Sequence, residues 1–267
     1  MIRIYNLIGC IITFRNFHKL LINKLFNRWI GSGAPEGILR NGIKLYFDRQ
    51  AVETSRAITQ EIWHRRVYQF PKVCGSFKTI VDIGANIGAF SLFAAYTIPD
   101  AKIYCIEPQS NAFSLLTANV DRNLFTQKII TLQRAIASKS DVRDLLQSSI
   151  SSTRCSFIPN TFLQTENKIF ESVKTSSLQD LFCELGIERC DFLKIDCEGA
   201  EFEVFDDVDP ELLKRISHIS MECHPGIAGR DTNSIVEKLK KCGFSVEVTD
   251  LDAANGLYLV NAIGAKY

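Results

Sequence analysis

The amino-terminal region of this sequence contains no acidic residue before Glu36 and no apolar run long enough to span a bilayer. Its longest uncharged stretch, Ile4 to Phe14, is 11 residues, against the roughly 20 that a membrane-crossing helix needs. No small-residue cleavage pattern follows, so a secretory leader is not expected. No two of the 9 cysteines have C-x-x-C spacing, which argues against a zinc ribbon and a thioredoxin-like site. Their number is odd, and Cys105 and Cys223 sit inside apolar runs, where free cysteine behaves as a small hydrophobe. A reducing, cytoplasmic compartment is expected. Basic excess is also missing: 31 basic residues face 30 acidic ones, for a net charge of +1. Nothing in that balance asks for nucleic acid. Internal repeats and long low-complexity tracts are absent as well. With 46% hydrophobic residues in 267, the chain suits one sizeable domain with an extension, or two small ones.

Residues 1–35 carry five basic residues: Arg3, Arg15, Lys19, Lys24 and Arg28. Ile4, Leu7, Ile8, Ile11, Phe14, Phe17, Leu21 and Leu25 fall near one helical stripe. A basic amphipathic helix of this kind can lie in a membrane interface, or pack on the main domain or a dimer partner. Both readings stay open, so peripheral membrane contact through residues 1–30 is one expectation. Gly31-Ser32-Gly33-Ala34-Pro35 breaks the pattern and is a plausible linker. Residues 36–78 then form a lead-in. Two short strands in 37–48 flank Asn41-Gly42, a favoured two-residue hairpin turn. A helix over 55–70 is expected to end at Pro71.

From residue 79 to the end, strands and helices alternate. Strands are expected at 79–83, 102–106, 129–134, 191–195 and 216–222, with closing segments at 244–249 and 256–263. Helices are expected at 87–97, 110–123, 176–186, 200–207 and 232–242. The stretch 141–175 stays ambiguous: it is serine-rich at 148–153, with possible strand pieces near 155–158 and 169–174. Such alternation implies a parallel sheet with helices on both faces.

The sharpest signal is TIVDIGANIGAF, residues 79–90. In open α/β sheets, ligands bind beyond the carboxyl ends of the strands. Gly84 and Gly88 permit positive φ and close backbone approach. The pattern G-A-N-I-G places Asn86 where a dinucleotide fingerprint has its second glycine, and no G-x-x-x-x-G-K-[ST] occurs. Asp82, just ahead of the loop, would repel a phosphate and suit a cationic group. Glu107 ends the next strand, 25 residues on, where an acid can accept bonds from both ribose hydroxyls. A ribose with a cationic tail and no pyrophosphate describes S-adenosylmethionine.

In order, VDIGANIGAFSL, IEPQ, SLQDLF, DFLKIDCEGAEFEVF and ISMECH resemble the FkbM family of class I S-adenosylmethionine-dependent methyltransferases. The resemblance covers about residues 36–262 and includes the lead-in EIWHRRVYQF. It implies a Rossmann-like, seven-stranded, mostly parallel sheet with one antiparallel strand near the C-terminal edge, here behind an N-terminal helical and hairpin extension. It maps the donor site onto Asp82, Gly84, Asn86, Gly88 and Glu107, and places Ala135 and Ile136 against the adenine.

Methyl transfer to oxygen needs a group that takes the hydroxyl proton and tight orientation. The candidates are Asp196, Glu198, Glu222 and His224, at two neighbouring strand ends. Asp196 could instead hold the donor's amino group, and Glu198 could cap the helix near Gly199. Glu201 and Glu203 are expected to be solvated helix residues. No metal is expected, although the four candidates offer ligand types that suit Mg or Mn. The implied acceptor is a hydroxyl on a small molecule, glycan or lipid-linked saccharide. A non-catalytic S-adenosylmethionine-binding or membrane-surface scaffold is the alternative. A nicotinamide oxidoreductase is disfavoured by Asp82 and Asn86. A nucleic-acid methyltransferase is disfavoured by the lack of an Asn-Pro-Pro-aromatic motif and of a dense basic patch. Oligomeric state is not legible.

Overall fold

A computed structural model of the chain describes residues 2–26, 34–71, 74–147, 155–156, 168–224, 231–252 and 256–265. In chain order the elements begin with two helices, α1 (Ile2–Thr13) and α2 (Phe17–Phe26), and a hairpin, β1 (Glu36–Ile38) and β2 (Lys44–Tyr46). Helix α3 (Val52–Gln60) follows and passes into a π-helical turn, Glu61–Arg65. Then come β3 (Thr79–Ile83), α4 (Ala89–Thr97), β4 (Lys102–Ile106), α5 (Ser110–Arg122), β5 (Ile129–Leu132) and β6 (Ala135–Ile136). The middle of the chain holds β7 (Asp141–Gln147), β8 (Cys155–Ser156), β9 (Lys168–Ser176) and α6 (Leu178–Glu184). The last third holds β10 (Phe192–Ile195), α7 (Glu201–Asp206), α8 (Pro210–Leu213), β11 (His218–Cys223), α9 (Thr232–Lys241), β12 (Phe244–Asp252) and β13 (Leu257–Gly264).

Seven strands form the main sheet in the order β12-β13-β11-β10-β3-β4-β5. The pairs β11–β10, β10–β3, β3–β4 and β4–β5 are parallel, and β13 runs antiparallel to both neighbours. The central strands are near-continuous apolar runs because helices cover both of their faces. Alternate residues serve two cores, as a period of two requires. Ile80, Ile103 and Phe192 pack with α4 on one side. Val81, Ile83, Leu193 and Ile195 pack with α6, α7 and α9 on the other.

The amino terminus differs from the single helix expected. Phe14 leaves the helix to form a bridge with Leu39 and sets its ring edge-on to Phe47, 6.0 Å away. Asn16 pairs with the Glu36 carbonyl and the Ile38 N–H. Arg40 donates to the Ile12 carbonyl, 2.9 Å away, at the end of α1, where carbonyls lack helical partners. Cys10, Phe14 and Leu20 belong to the same core as α4, so this segment packs on the domain. Among the described residues no helix is long and apolar enough to cross a membrane.

Four further departures have local causes. The hairpin is closed by the Gly42 N–H bonding Leu39, with Gly42 at φ 94°, so the glycine serves a bulged turn rather than a two-residue one. The helix expected over 55–70 stops at Arg66, in the left-handed region at φ 57°, well before Pro71. Within the ambiguous stretch 141–175, β7, β8 and β9 join β6 in a second sheet, ordered β6-β9-β7-β8. Arg143 on β7 pairs with Glu203 of α7 and fastens that sheet to the main body. Finally, α8 was not expected; Asp209 caps it through the Glu211 N–H, with Pro210 in its first turn, a standard start signal.

Candidate active site

The carboxyl ends of β3, β4, β10 and β11 open on one cavity of about 470 Å³. The lead-in closes it from above with Glu61 and Tyr68, and β6 supplies Ala135 and Ile136.

The glycine loop is built against its neighbours. The N–H groups of Gly84 and Ala85 both donate to the Ile106 carbonyl, at 2.9 and 3.0 Å. Asn86 takes positive φ, 50°, and its N–H donates to Glu107 at 2.8 Å. The Gln109 N–H donates to the other Glu107 oxygen at 2.9 Å. Glu107 thus holds two loops together while lining the cavity. Burial pushes its pKa up to about 7, against the two N–H bonds that favour the charged form.

Gly84, Asn86, Glu107, Ala135, Ile136, Asp196, Glu198, Glu222 and His224 all line the cavity. Asp82 and Gly88 are not on its wall. Asp82 is fully buried beneath the loop. It accepts a bond from Ser91 at 2.5 Å and lies 3.2 Å from the Lys194 ammonium. The cation that meets Asp82 in this structure is the internal Lys194. Gly88 starts α4 at φ 86°, and a side chain there would meet Leu116.

Lys194 escaped the sequence reading. It stands in a central strand, 3% exposed, and donates to the Gly84 carbonyl at 2.8 Å. Burial alone would lower its pKa, but Asp82 and Asp196 raise it above the ordinary lysine range. The signal available was a lone lysine within the apolar run of β10.

Glu201 and Glu203, expected in solvent, are both buried. Glu201 accepts from the N–H groups of Cys197 and Gly199, at 2.8 and 3.0 Å, and meets His224 Nδ1 at 2.9 Å. Burial would raise its pKa, yet His224 and the N–H bonds hold it below the ordinary value. Glu201, rather than Glu198, therefore anchors the turn before α7. Glu198 sits in that turn at φ 53°, with an oxygen 3.4 Å from His224 Nε2. Burial opposes the charge on His224, but Glu201 and then Glu198 outweigh it and push the pKa up to about 10. The charged form lets Nδ1 donate to Glu201 and leaves Nε2 in ion-pair contact with Glu198, on the cavity wall. Asp196, Glu201 and His224 each bring a ligand-type atom within 4.8 Å of the others. Those of Glu201 and His224 are spent on one another and on backbone N–H groups.

Tyr68 was also missed. Its ring is buried against Phe90, with centroids 5.5 Å apart. Its hydroxyl donates to Glu222 at 2.6 Å and lies 3.2 Å from Asp196. Burial first, then Asp196, pushes Glu222 up to about 7.

The donor set favours a ligand that carries positive charge. Six acidic residues line the cavity, Glu61, Glu107, Asp196, Glu198, Glu222 and Asp252, against Arg134, Lys194 and His224. The Asn86 N–H, which a dinucleotide site would offer to phosphate, is occupied by Glu107.

Comparison with known proteins agrees. The family "Methyltransferase FkbM domain" matches residues 82–246. Methyltransferase sdnD of Sordaria araneosa is 28% identical over 54% of this chain and 65% of that protein. Hexuronic acid methyltransferase AglP of Haloferax volcanii is 26% identical over 64% of this chain and 65% of its own length. The 31-O-demethyl-FK506 methyltransferase FkbM of Streptomyces tacrolimicus is 27% identical over 62% of this chain and 72% of its own. The aligned part thus spans just under two thirds of the first and second of these. The family match covers more than half of the chain, which belongs to the FkbM methyltransferase family.

Proposed function

We propose that this FkbM-family chain transfers a methyl group from S-adenosylmethionine to a hydroxyl of a small molecule, glycan or lipid-linked saccharide. The observation that carries this reading is the acid-lined cavity beyond the sheet, with Glu107 presented at the end of the second parallel strand. The relatives named for a hexuronic acid and for 31-O-demethyl-FK506 support an oxygen acceptor.

When bound, the donor supplies an electrophilic methyl group on a cationic sulfur. Glu107 would hold the ribose hydroxyls, and Ala135 and Ile136 would flank the adenine. Gly84 and Asn86 shape the backbone beside them. Asp196, Glu198, Glu222 and His224 would hold the acceptor and manage its proton. His224, already protonated, suits donation to an acceptor oxygen better than proton removal, which falls to the carboxylates.

Calorimetric titration tests the donor. S-adenosylmethionine should bind with micromolar affinity, and Glu107→Gln should weaken it about 10–100-fold, the worth of one or two charge-assisted bonds. NAD should not bind. Equal affinity for wild type and variant, or preferential NAD binding, would sink the reading.

The amino terminus supports a cytoplasmic membrane-surface contact with an anionic bilayer. Ile8, Ile11, Ile12 and Ile22 are 36–47% exposed, on a segment with five cations and no acid. Deleting the segment is the wrong test, because Cys10, Phe14 and Leu20 are core residues. Replacing Ile8 and Ile12 by serine should instead abolish co-sedimentation with phosphatidylserine-containing vesicles. Unchanged co-sedimentation would remove the membrane from the account.

A further inference from the structure

Tyr68, Asp196 and Glu222 arrive from three places: the lead-in, the end of β10 and the end of β11. One phenol hydroxyl stands between two carboxylates, 2.6 Å from Glu222 and 3.2 Å from Asp196. A phenol carries a single proton. It can donate to one carboxylate, and the other contact then joins two acceptors. The trio is satisfied only when one carboxyl group is itself protonated. Packing against Phe90 keeps the hydroxyl in place.

The surroundings decide which carboxyl holds that extra proton. Asp196 lies 3.7 Å from the Lys194 ammonium, which also stands 5.4 Å over the Tyr68 ring. Among the described residues no such ion pair reaches Glu222. Glu222 faces the like charge of Asp196, with His224 and Lys194 as the nearby cations, while Glu61 faces Asp196 from the π-helical turn. Glu198 lies beyond His224. Desolvation without a partner cation makes Glu222 the proton holder, and its raised pKa of about 7 agrees.

We propose that Tyr68 links Asp196 and Glu222 into a relay holding one exchangeable proton, with Asp196 the entry and Glu222 the terminus. The relay rests on the methyltransferase reading above. As the acceptor oxygen forms its bond to the methyl carbon, the carbon–sulfur bond breaks and its electron pair stays on sulfur. The hydroxyl proton passes to Asp196. Asp196 protonates the Tyr68 oxygen as Tyr68 gives its own proton to Glu222. One proton moves from acceptor to Glu222, and Tyr68 and Asp196 are unchanged. Glu222 must be ionised beforehand, and a cationic donor in the same cavity favours that. The sulfonium loses its positive charge as Glu222 loses its negative one, so the net charge of the cavity does not change.

The test needs no acceptor. Titration of the whole protein with S-adenosylmethionine in two buffers of different ionisation enthalpy reads the protons released on binding. A cation lowers the Glu222 pKa, so release is greatest between the lowered value and about 7, and fades at either side. At pH 7 wild type should release up to about 0.5 proton more than Glu222→Gln. The ligand's own amine titrates alike in both and cancels. Tyr68→Phe, which removes the hydroxyl that favours charged Glu222, should move the release window to higher pH. Asp196→Asn, which removes a like charge, should move it lower. A role confined to packing predicts neither shift. Binding with equal release in wild type and Glu222→Gln would overturn the relay and leave the donor reading standing. An unmoved window in Tyr68→Phe would also overturn it. No binding at all in folded wild type would take down both.

Discussion

Replacing Lys194 by methionine is expected to destabilise the fold by about 3–5 kcal/mol, the cost of leaving a buried charge without its partner. The side chain is 3% exposed in the middle of the sheet. Its register partner on the adjacent strand is Asp82, so the two point to the same face, and their charged groups lie 3.2 Å apart. Without the ammonium, Asp82 keeps only the Ser91 hydroxyl; its other oxygen already lacks a hydrogen-bond partner. The Gly84 carbonyl loses its lysine donor as well. Urea unfolding measures the loss. Adding Asp82→Asn should recover part of it, because the stranded charge is removed along with its partner, and the double-mutant cycle should show coupling above about 1 kcal/mol. Lys194→Met unfolding at the wild-type midpoint would mean that the network is not what holds these strands. Donor binding should weaken in parallel, since Lys194 also braces Asp196 and the glycine loop.

That network marks the boundary of what the sequence discloses. The main sheet is legible because its strands are short apolar runs, with helical spacing between them, and each of its seven strands lies within a few residues of its expected place. The polar ends of those strands are legible for the same reason: residues just past a buried strand share one edge of the sheet. Asn86, Glu107, Asp196, Glu222 and His224 are found there. Residues whose meaning depends on a second strand or a distant segment are not. Lys194 looks like an exception in an apolar run until register sets it opposite Asp82. Glu201 looks like an ordinary first-turn acid until β11 brings His224 to it. Tyr68 follows a π-helical turn and a left-handed Arg66, and no periodicity announces either. In the second sheet β8 and β9 fall on the strand pieces expected near 155–158 and 169–174, but β7 and its pairing with β9 across the serine-rich stretch escaped.

Gly84→Ala is expected to be as severe as the loss of Lys194, for a reason that neither positive φ nor a ligand supplies. A methyl group at residue 84 would lie 1.8 Å from the Asp196 carbonyl oxygen and 2.8 Å from its carbonyl carbon. Both atoms are backbone, and that backbone is fixed: the Asp196 N–H donates to Ile83 at 3.1 Å. The turns after β3 and β10 are therefore packed directly on one another. The missing side chain of Gly84 is what admits the turn that carries Asp196. Alanine must push the turns apart, which displaces Asp196 and the Gly84 carbonyl that Lys194 holds. Overpacking against rigid backbone, added to left-handed strain, should cost about 3–5 kcal/mol and weaken donor binding about 100-fold or more, some 2.7 kcal/mol. Gly42→Ala is the matched control. Gly42 has φ 94° but nothing within 4 Å of an added methyl, so it carries only conformational strain, about 1–2 kcal/mol. Urea midpoints and calorimetric affinities for the two variants separate the terms. If Gly84→Ala is no worse than Gly42→Ala, the turns are free to separate, and Asp196 is positioned by something other than the glycine loop. A larger loss at Gly84, in stability and in donor affinity together, identifies the contact between the two turns as the joint on which the site is built.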